Sequence, residues 1–366
     1  MSKNNKKEPL LHVVKRDYCP VGQTVLIHAI AMLLASVICL IFINAVTGFS
    51  FGSIFTTFFS ANFSAKNRFL AFAQDTCLLL LIAVGLAPAF KMRFWNIGAQ
   101  GQVLMGGLIS AILMYYIRGN MPAWLLIALM LPLTLLIAGL WCLIPAFFKV
   151  RFGANETLFT LMMNYVAIQL VLCFTHIWKG VKSSFGVMDR FTGSTNGYLS
   201  PLFGLDIGWT LLISLLLTVL MFFYLNKTKQ GYEISVVGES VRTARYAGIN
   251  DKAVVLRTAF ISGAICGLAG FLYVTNVTHT ISSGTGGGFG FTAIIVAWLG
   301  EFNPILMTLI SVLLIFLNKG AGDIRNMASL DNSVCDVVVC VFLFCILGCR
   351  FFINYKLALR QRGEKQ

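Results

Sequence analysis

Charge is scarce in this chain. Of its 366 residues 11% are charged and 58% are hydrophobic, and the mean hydropathy is +0.82. A soluble domain is roughly a quarter charged, because its surface has to be. The shortage excludes a disordered chain, a collagen-like chain and an ordinary soluble enzyme. Histidine is scarce too: His12, His28, His176 and His279 are scattered and none has a motif partner, so no catalytic pair is visible. The ten cysteines include no CxxC pair and no His at zinc spacing. Neither a metal site nor a disulfide framework is expected, and most of these thiols should pack inside apolar runs. A GxxxxGK[ST] phosphate loop is absent. The glycine-rich Gly284-Thr-Gly-Gly-Gly-Phe-Gly290 lacks the lysine and hydroxyl such a loop needs, and reads as a flexible outer turn.

What is present is a series of long apolar runs. A membrane span needs about 20 apolar residues. The spans read as Thr24 to Val46, Leu70 to Phe90, Ile97 to Ile117, Trp124 to Phe148, Thr157 to Trp178, Trp209 to Leu225 and Thr258 to Thr278. The run from Phe289 to Leu317 breaks at Gly300-Glu-Phe-Asn-Pro304 and reads as two short spans joined by a tight hairpin; Val334 to Phe352 is the tenth. The expectation is an all-α polytopic membrane protein of about ten transmembrane helices.

With the N-terminus inside, 20 of the 28 Lys and Arg residues fall on the inner side. The positive-inside rule then places both termini in the cytoplasm. It also accounts for the formal net charge of +14 without any nucleic-acid partner. The domain reading is a cytoplasmic segment 1–23, a transmembrane domain 24–354 with an inner loop 227–257, and a cytoplasmic tail 355–366. The apolar run after the basic N-terminus is too long for a cleaved signal, and neither end carries a lipidation signature.

The inner loop is the most structured of the connections. Ser240 suits an N-cap and Gly248 a C′ glycine, so Val241 to Ala247 should form about two helical turns. Arg242, Arg245 and Tyr246 then share a face. Such residues anchor protein interfaces, while a plain basic loop on lipid headgroups is the simpler alternative.

Four stretches in order carry a family resemblance. Phe94-Trp-Asn-Ile-Gly-Ala-Gln-Gly-Gln102 is similar to a FNIGAEGQ signature, departing at Trp95 and Gln100. Asn155-Glu-Thr-Leu-Phe-Thr-Leu-Met-Met-Asn-Tyr165 is similar to NEVISTLMLNY. Gly231 to Ile249 resembles a coupling loop, and Gly290 to Gly300 with Asn303-Pro304 resembles a GFTGIAVALLG…NP stretch. Together they resemble the ABC importer permeases of the ribose, simple-sugar and nucleoside type, with the nucleoside branch nearest, over roughly residues 70 to 318. The segment after span five departs from that family's Pro-rich pattern.

The resemblance implies a transport subunit of a bacterial inner (cytoplasmic) membrane, not an enzyme. A second permease, identical or homologous, would form the other half of the pathway. Separate ATPase subunits, using ATP and Mg, would dock below, and an extracytoplasmic binding protein or lipoprotein would deliver substrate. No cofactor is implied for this chain itself. The coupling residues implied are Gly231, Tyr232, Glu233, Gly238, Arg242, Ala244, Arg245, Tyr246, Ala247 and Gly248.

Neutral polar residues in the spans are candidates to line a pathway for an uncharged solute. Thr157, Thr160 and Asn164 form one stripe of span five, followed by Tyr165, while Asn96, Gln100 and Gln102 open span three. Amides could read a base or ribose and an aromatic could stack on a base; alternatively, the amides bind helices to one another. Asp75, inside span two, has no counterpart in the family pattern. A carboxylate there should face protein, in a packing hydrogen bond or against substrate. Glu156, beside Asn155 at a helix start, reads as part of a cap. The rival function is a self-sufficient ion-coupled carrier.

Overall fold

The computed structural model describes residues 11–16, 20–117, 121–178, 197–202, 204–331 and 333–359. The expectations placed on the first ten residues, on most of the outer segment after span five and on the end of the C-terminal tail lie outside the described residues.

In chain order the elements are β1 (Leu11–Lys15), α1 (Val21–Thr47), α2 (Phe51–Phe63), α3 (Lys66–Lys91), α4 (Ala99–Ile117), α5 (Ala123–Phe152), α6 (Glu156–Ile177), α7 (Gly208–Lys227), α8 (Lys229–Glu239), α9 (Val241–Tyr246), α10 (Asp251–Leu272), a π-helical turn (Tyr273–Val277), α11 (Phe289–Leu299), α12 (Pro304–Ala328), α13 (Ser333–Asn354) and β2 (Tyr355–Leu359). Among the described residues nine helices are long and apolar enough to cross a membrane. The protein is an all-α polytopic membrane protein.

The chain divides into two compact units, Met1–Arg68 with Phe316–Gln366, and Phe69–Ile315. In the first, α1 packs on α13. Thiols serve as small packing groups there: Cys39 donates to the Val338 carbonyl and Cys349 to the Ile27 carbonyl. β1 and β2 pair antiparallel with Val13 opposite Leu357, which brings the two terminal segments side by side. The helix α2 was not anticipated from hydropathy, because its 13 residues are too few for a span. It starts at a Ser50 cap and lays Phe59 against Phe316, while Arg68 pairs with Asp323.

In the second unit α4, α5 and α10 pack together. Small residues make this possible. A Cβ added to Gly270 would stand 1.9 Å from the Val103 carbonyl oxygen, and one on Gly106 would stand 2.1 Å from that of Gly267. Backbone meets backbone at these crossings, which maximises dispersion contact where no water is available to drive association. The middle of α3 is sealed on all sides, with Leu78 to Leu81 fully buried.

Two expectations change here. The run after Phe289 does not hold two comparable spans. The helix α11 has 11 residues, or about 16 Å, roughly half the hydrocarbon thickness, whereas α12 has 25. The glycine-rich stretch before α11 is a run of turns, as expected, but it is not a detached one. Ile281, Thr285, Gly286 and Gly290 are buried against the bundle. An irregular segment followed by an 11-residue helix falls short of a 20-residue hydropathy window. The Gly300–Pro304 break is a tight turn, with Glu301 and Phe302 at φ 51° and 59° and Asn303 capping α12 at Ile305.

Candidate functional site

The polar residues singled out on spans three and five converge around a break in the chain. α3 ends at Lys91 and α4 begins at Ala99, and the residues between are not helical, so their backbone groups need partners inside the protein. Side chains supply them. Asn164 accepts from the Gly101 N–H at 2.8 Å and donates to the Ile97 carbonyl at 2.9 Å. The Thr160 hydroxyl accepts from the Ile97 N–H at 3.2 Å. Asn96 accepts from the Gly98 N–H at 3.1 Å and from the Gln102 amide at 2.9 Å, and donates toward Gln102, Ser262 and Cys142. Gln100 donates to the Thr285 carbonyl at 3.0 Å and accepts from the Gly290 N–H at 3.1 Å. Asn96, Gln100, Gln102, Thr160 and Asn164 are all buried.

Close approach is again set by glycine. A Cβ on Gly101 would fall 2.8 Å from Asn164 Oδ1, and one on Gly98 would fall 3.1 Å from the Thr160 carbonyl. The partners Ser262, Cys142, Thr285 and Gly290 were not singled out as polar partners from the sequence. Gly290 and Ser262 carried a signal as the first residues of family-like stretches, and Thr285 lay within the glycine-rich stretch.

Two candidates stand apart from this cluster. Tyr165 lies on the outward face of α6 and is 58% exposed. Asp75 is half-buried on α3, in electrostatic range of Tyr273 at the π-helical turn. Glu156 follows the Asn155 cap, whose side chain accepts from the Thr157 and Leu158 N–H groups, and pairs with Lys149. Within the break, Trp95 stacks on Trp298 with centroids 5.1 Å apart, and Phe90 and Phe302 pack on Trp298.

The loop between α7 and α10 is helical along most of its length. Ser240 caps α9 through the Thr243 N–H, and Gly248, at φ 74°, ends it, with the Ile249 N–H returning to the Ala244 carbonyl. The preceding helix α8 is new. Thr228 caps it, and its glycines press on other backbones: a Cβ on Gly231 would stand 2.3 Å from the Tyr224 carbonyl oxygen, and one on Gly238 would stand 2.2 Å from that of Lys91. Ala244 is fully buried, so α9 is fixed to the bundle by its small side.

The shared face of α9 is only partly available. Arg245 is bidentate to Asp251, at 3.1 and 2.9 Å. Those hydrogen bonds raise the pKa of its guanidinium above the usual value. Glu233 is held by Arg257 at 3.0 Å. Tyr246, 93% exposed, Tyr232 and Arg242 point outward.

The family described as branched-chain amino acid transport system / permease component matches residues 68–347. The guanosine ABC transporter permease protein NupP of Bacillus subtilis is 28% identical over 269 residues, 72% of this chain and 76% of its own length. The nucleoside ABC transporter permease protein NupB of Lactococcus lactis is 27% identical over 313 residues, 78% and 83%. The glucose ABC transporter permease protein TsgB13 of Haloferax volcanii is 26% identical over 300 residues, 78% of each. No solved structure matches. A multi-pass helical bundle, motifs in order and a family match over most of its length lead to one assignment: the chain belongs to this permease family, the membrane component of ABC transporters.

Proposed function

We propose that the chain is the permease subunit of an ATP-driven importer in a bacterial cytoplasmic membrane, carrying a nucleoside or a related sugar-bearing solute. It forms half of the translocation pathway and pairs with a second, identical or homologous permease; the relatives include NupP and NupQ, two guanosine permeases of one organism. Separate ATPase subunits dock on α8 and α9, and an extracytoplasmic binding protein or lipoprotein delivers the solute.

The observation that carries the reading is the capped α8–α9 segment. It is anchored to α3 and α7 through glycines and turns Tyr232, Arg242 and Tyr246 outward. Exposed tyrosine and arginine on a rigid support is what a docking surface requires, and a rigid support is what transmits a partner's motion.

The decisive experiment is purification of the tagged chain in mild detergent, with mass spectrometry and ATPase assay of the eluate. A co-purifying P-loop ATPase, stimulated by a nucleoside-binding protein, supports the importer. The chain emerging alone even after crosslinking, and driving uptake in vesicles with an ion gradient and no ATP, overturns it in favour of an ion-coupled carrier.

A further inference from the structure

The irregular stretch before α11 needs something to hold its shape. Gly286, Gly287 and Gly288 have φ values of 88°, 54° and 76°, a run of left-handed conformations that only glycine adopts readily. The hydrogen bonds within it are local: Gly287 N–H to the Gly284 carbonyl, Phe289 N–H to that of Gly286. Gln100, in the first turn of α4, ties it down. Its Nε2 donates to Thr285 O and its Oε1 accepts from the Gly290 N–H, so one amide grips the chain on both sides of the three glycines. There is no slack in this contact. A Cβ on Gly290 would stand 2.4 Å from the Gln100 nitrogen, and one on Gly286 would stand 3.2 Å from Val103 Cγ1.

We propose that Gln100 is a positioning residue for transport, whose amide fastens residues 284–290 to α4 so that this segment, the α11 that follows it and α4 move as one body. The proposal rests on the reading of this bundle as a translocation pathway. The chemistry of the clamp is specific. An amide offers a donor and an acceptor on one planar group. A carboxylic acid does the same only while protonated; a carboxylate loses the donor and turns negative charge on the Thr285 carbonyl. Thr285, Gly286, Gly290 and Val103 do not titrate, and α11 carries no ionisable side chain. The ionisable groups of the elements packed around this end of α4 include Tyr273, Cys142 beside Asn96, and Glu156, which is held by Lys149. A glutamate at position 100 would therefore bring its own titration to the site.

The test uses Gln100→Leu and Gln100→Glu in the full chain, read in two ways. Hydrogen–deuterium exchange of peptides covering 284–290 is measured on the purified chain, always against the unsubstituted protein at the same pH. Uptake is measured in proteoliposomes with the ATPase and binding-protein partners. The expected result for Gln100→Leu is faster exchange and slower uptake, each by about tenfold, as for loss of a buried hydrogen-bond partner, with the ATPase still co-purifying. Glutamate is what the FNIGAEGQ signature carries at this position, so Gln100→Glu should support uptake near pH of about 6, where burial keeps its carboxyl protonated, and hold residues 284–290 less firmly than Gln100 as the pH rises toward about 8. A flat pH profile for Gln100→Glu, or full uptake with Gln100→Leu, overturns the proposal. If the unsubstituted complex imports nothing, the importer reading has failed, and the exchange arm still decides whether the clamp exists.

Discussion

Gly238 and Lys91 meet with no side chain between them: a Cβ at position 238 would stand 2.2 Å from the Lys91 carbonyl oxygen. Gly238 is next to last in α8, and Lys91 is the last residue of α3, immediately before the chain breaks. The Lys91 ammonium also reaches the Leu225 carbonyl near the end of α7, at 3.5 Å. The proposed docking segment thus bears directly on the residue that leads into the buried polar cluster.

Substituting Gly238 should uncouple that contact. Gly238→Ala forces a backbone shift, an overpacking cost of about 1–3 kcal/mol; Gly238→Val should be worse. The expected outcome is a chain that inserts and still binds its ATPase, with basal hydrolysis retained and solute-stimulated hydrolysis lost. Normal stimulation in Gly238→Val would show that the contact transmits nothing.

The Arg245–Asp251 pair offers a second handle on docking. Arg245→Asp places two carboxylates together at the end of α9 and should abolish import while membrane insertion stays normal. The exchange Arg245→Asp with Asp251→Arg should restore the geometry of α9. Quantitative co-purification of the ATPase with both variants separates the possibilities. Loss in the single variant and recovery in the double assigns the pair to fixing α9; loss in both means that the partner itself reads the arginine.

Asn164 satisfies two backbone groups of the break at once. Asn164→Leu leaves the Gly101 N–H and the Ile97 carbonyl buried and unpaired, at about 1–3 kcal/mol each. Thermal unfolding in detergent should show a drop well beyond that of Tyr165→Leu on the same helix, because Tyr165 faces outward. Equal melting temperatures would mean that the break is held by other contacts.

At the α4–α10 crossing, Gly270→Ala puts a methyl group against the Val103 carbonyl. Helix backbones cannot yield as a side chain tip does, so a loss of about 3 kcal/mol or more is expected, at the upper end for overpacking. Gly348→Ala in α13, where nothing lies within 4 Å, should be neutral or slightly stabilising. Denaturation of both variants in the same detergent provides the comparison.

Hydropathy alone located α1, α3 to α7 and α13 to within a few residues, because a helix in lipid must be apolar along its full length and the signal is long; it missed the polar first turns of α10, which begins at Asp251, and the last turns of α12, which runs on to Ala328. Ser240 and Gly248 marked the ends of α9 correctly, since caps act through local chemistry: a hydroxyl for free N–H groups and a glycine for a left-handed residue. The motifs carried the family. What the sequence by itself could not determine was the partner of each polar side chain. Asn96 and Ser262 are 166 residues apart, and Gln100 and Gly290 are 190 apart; no local rule joins them. The same limit applies to the glycine stretch, whose turns are held by contacts with α4, and to Arg245, which pairs with Asp251. Tertiary structure decided these points because an amide in a membrane bundle bonds to whatever unpaired backbone the packing brings within about 3 Å, and packing is a property of the whole bundle.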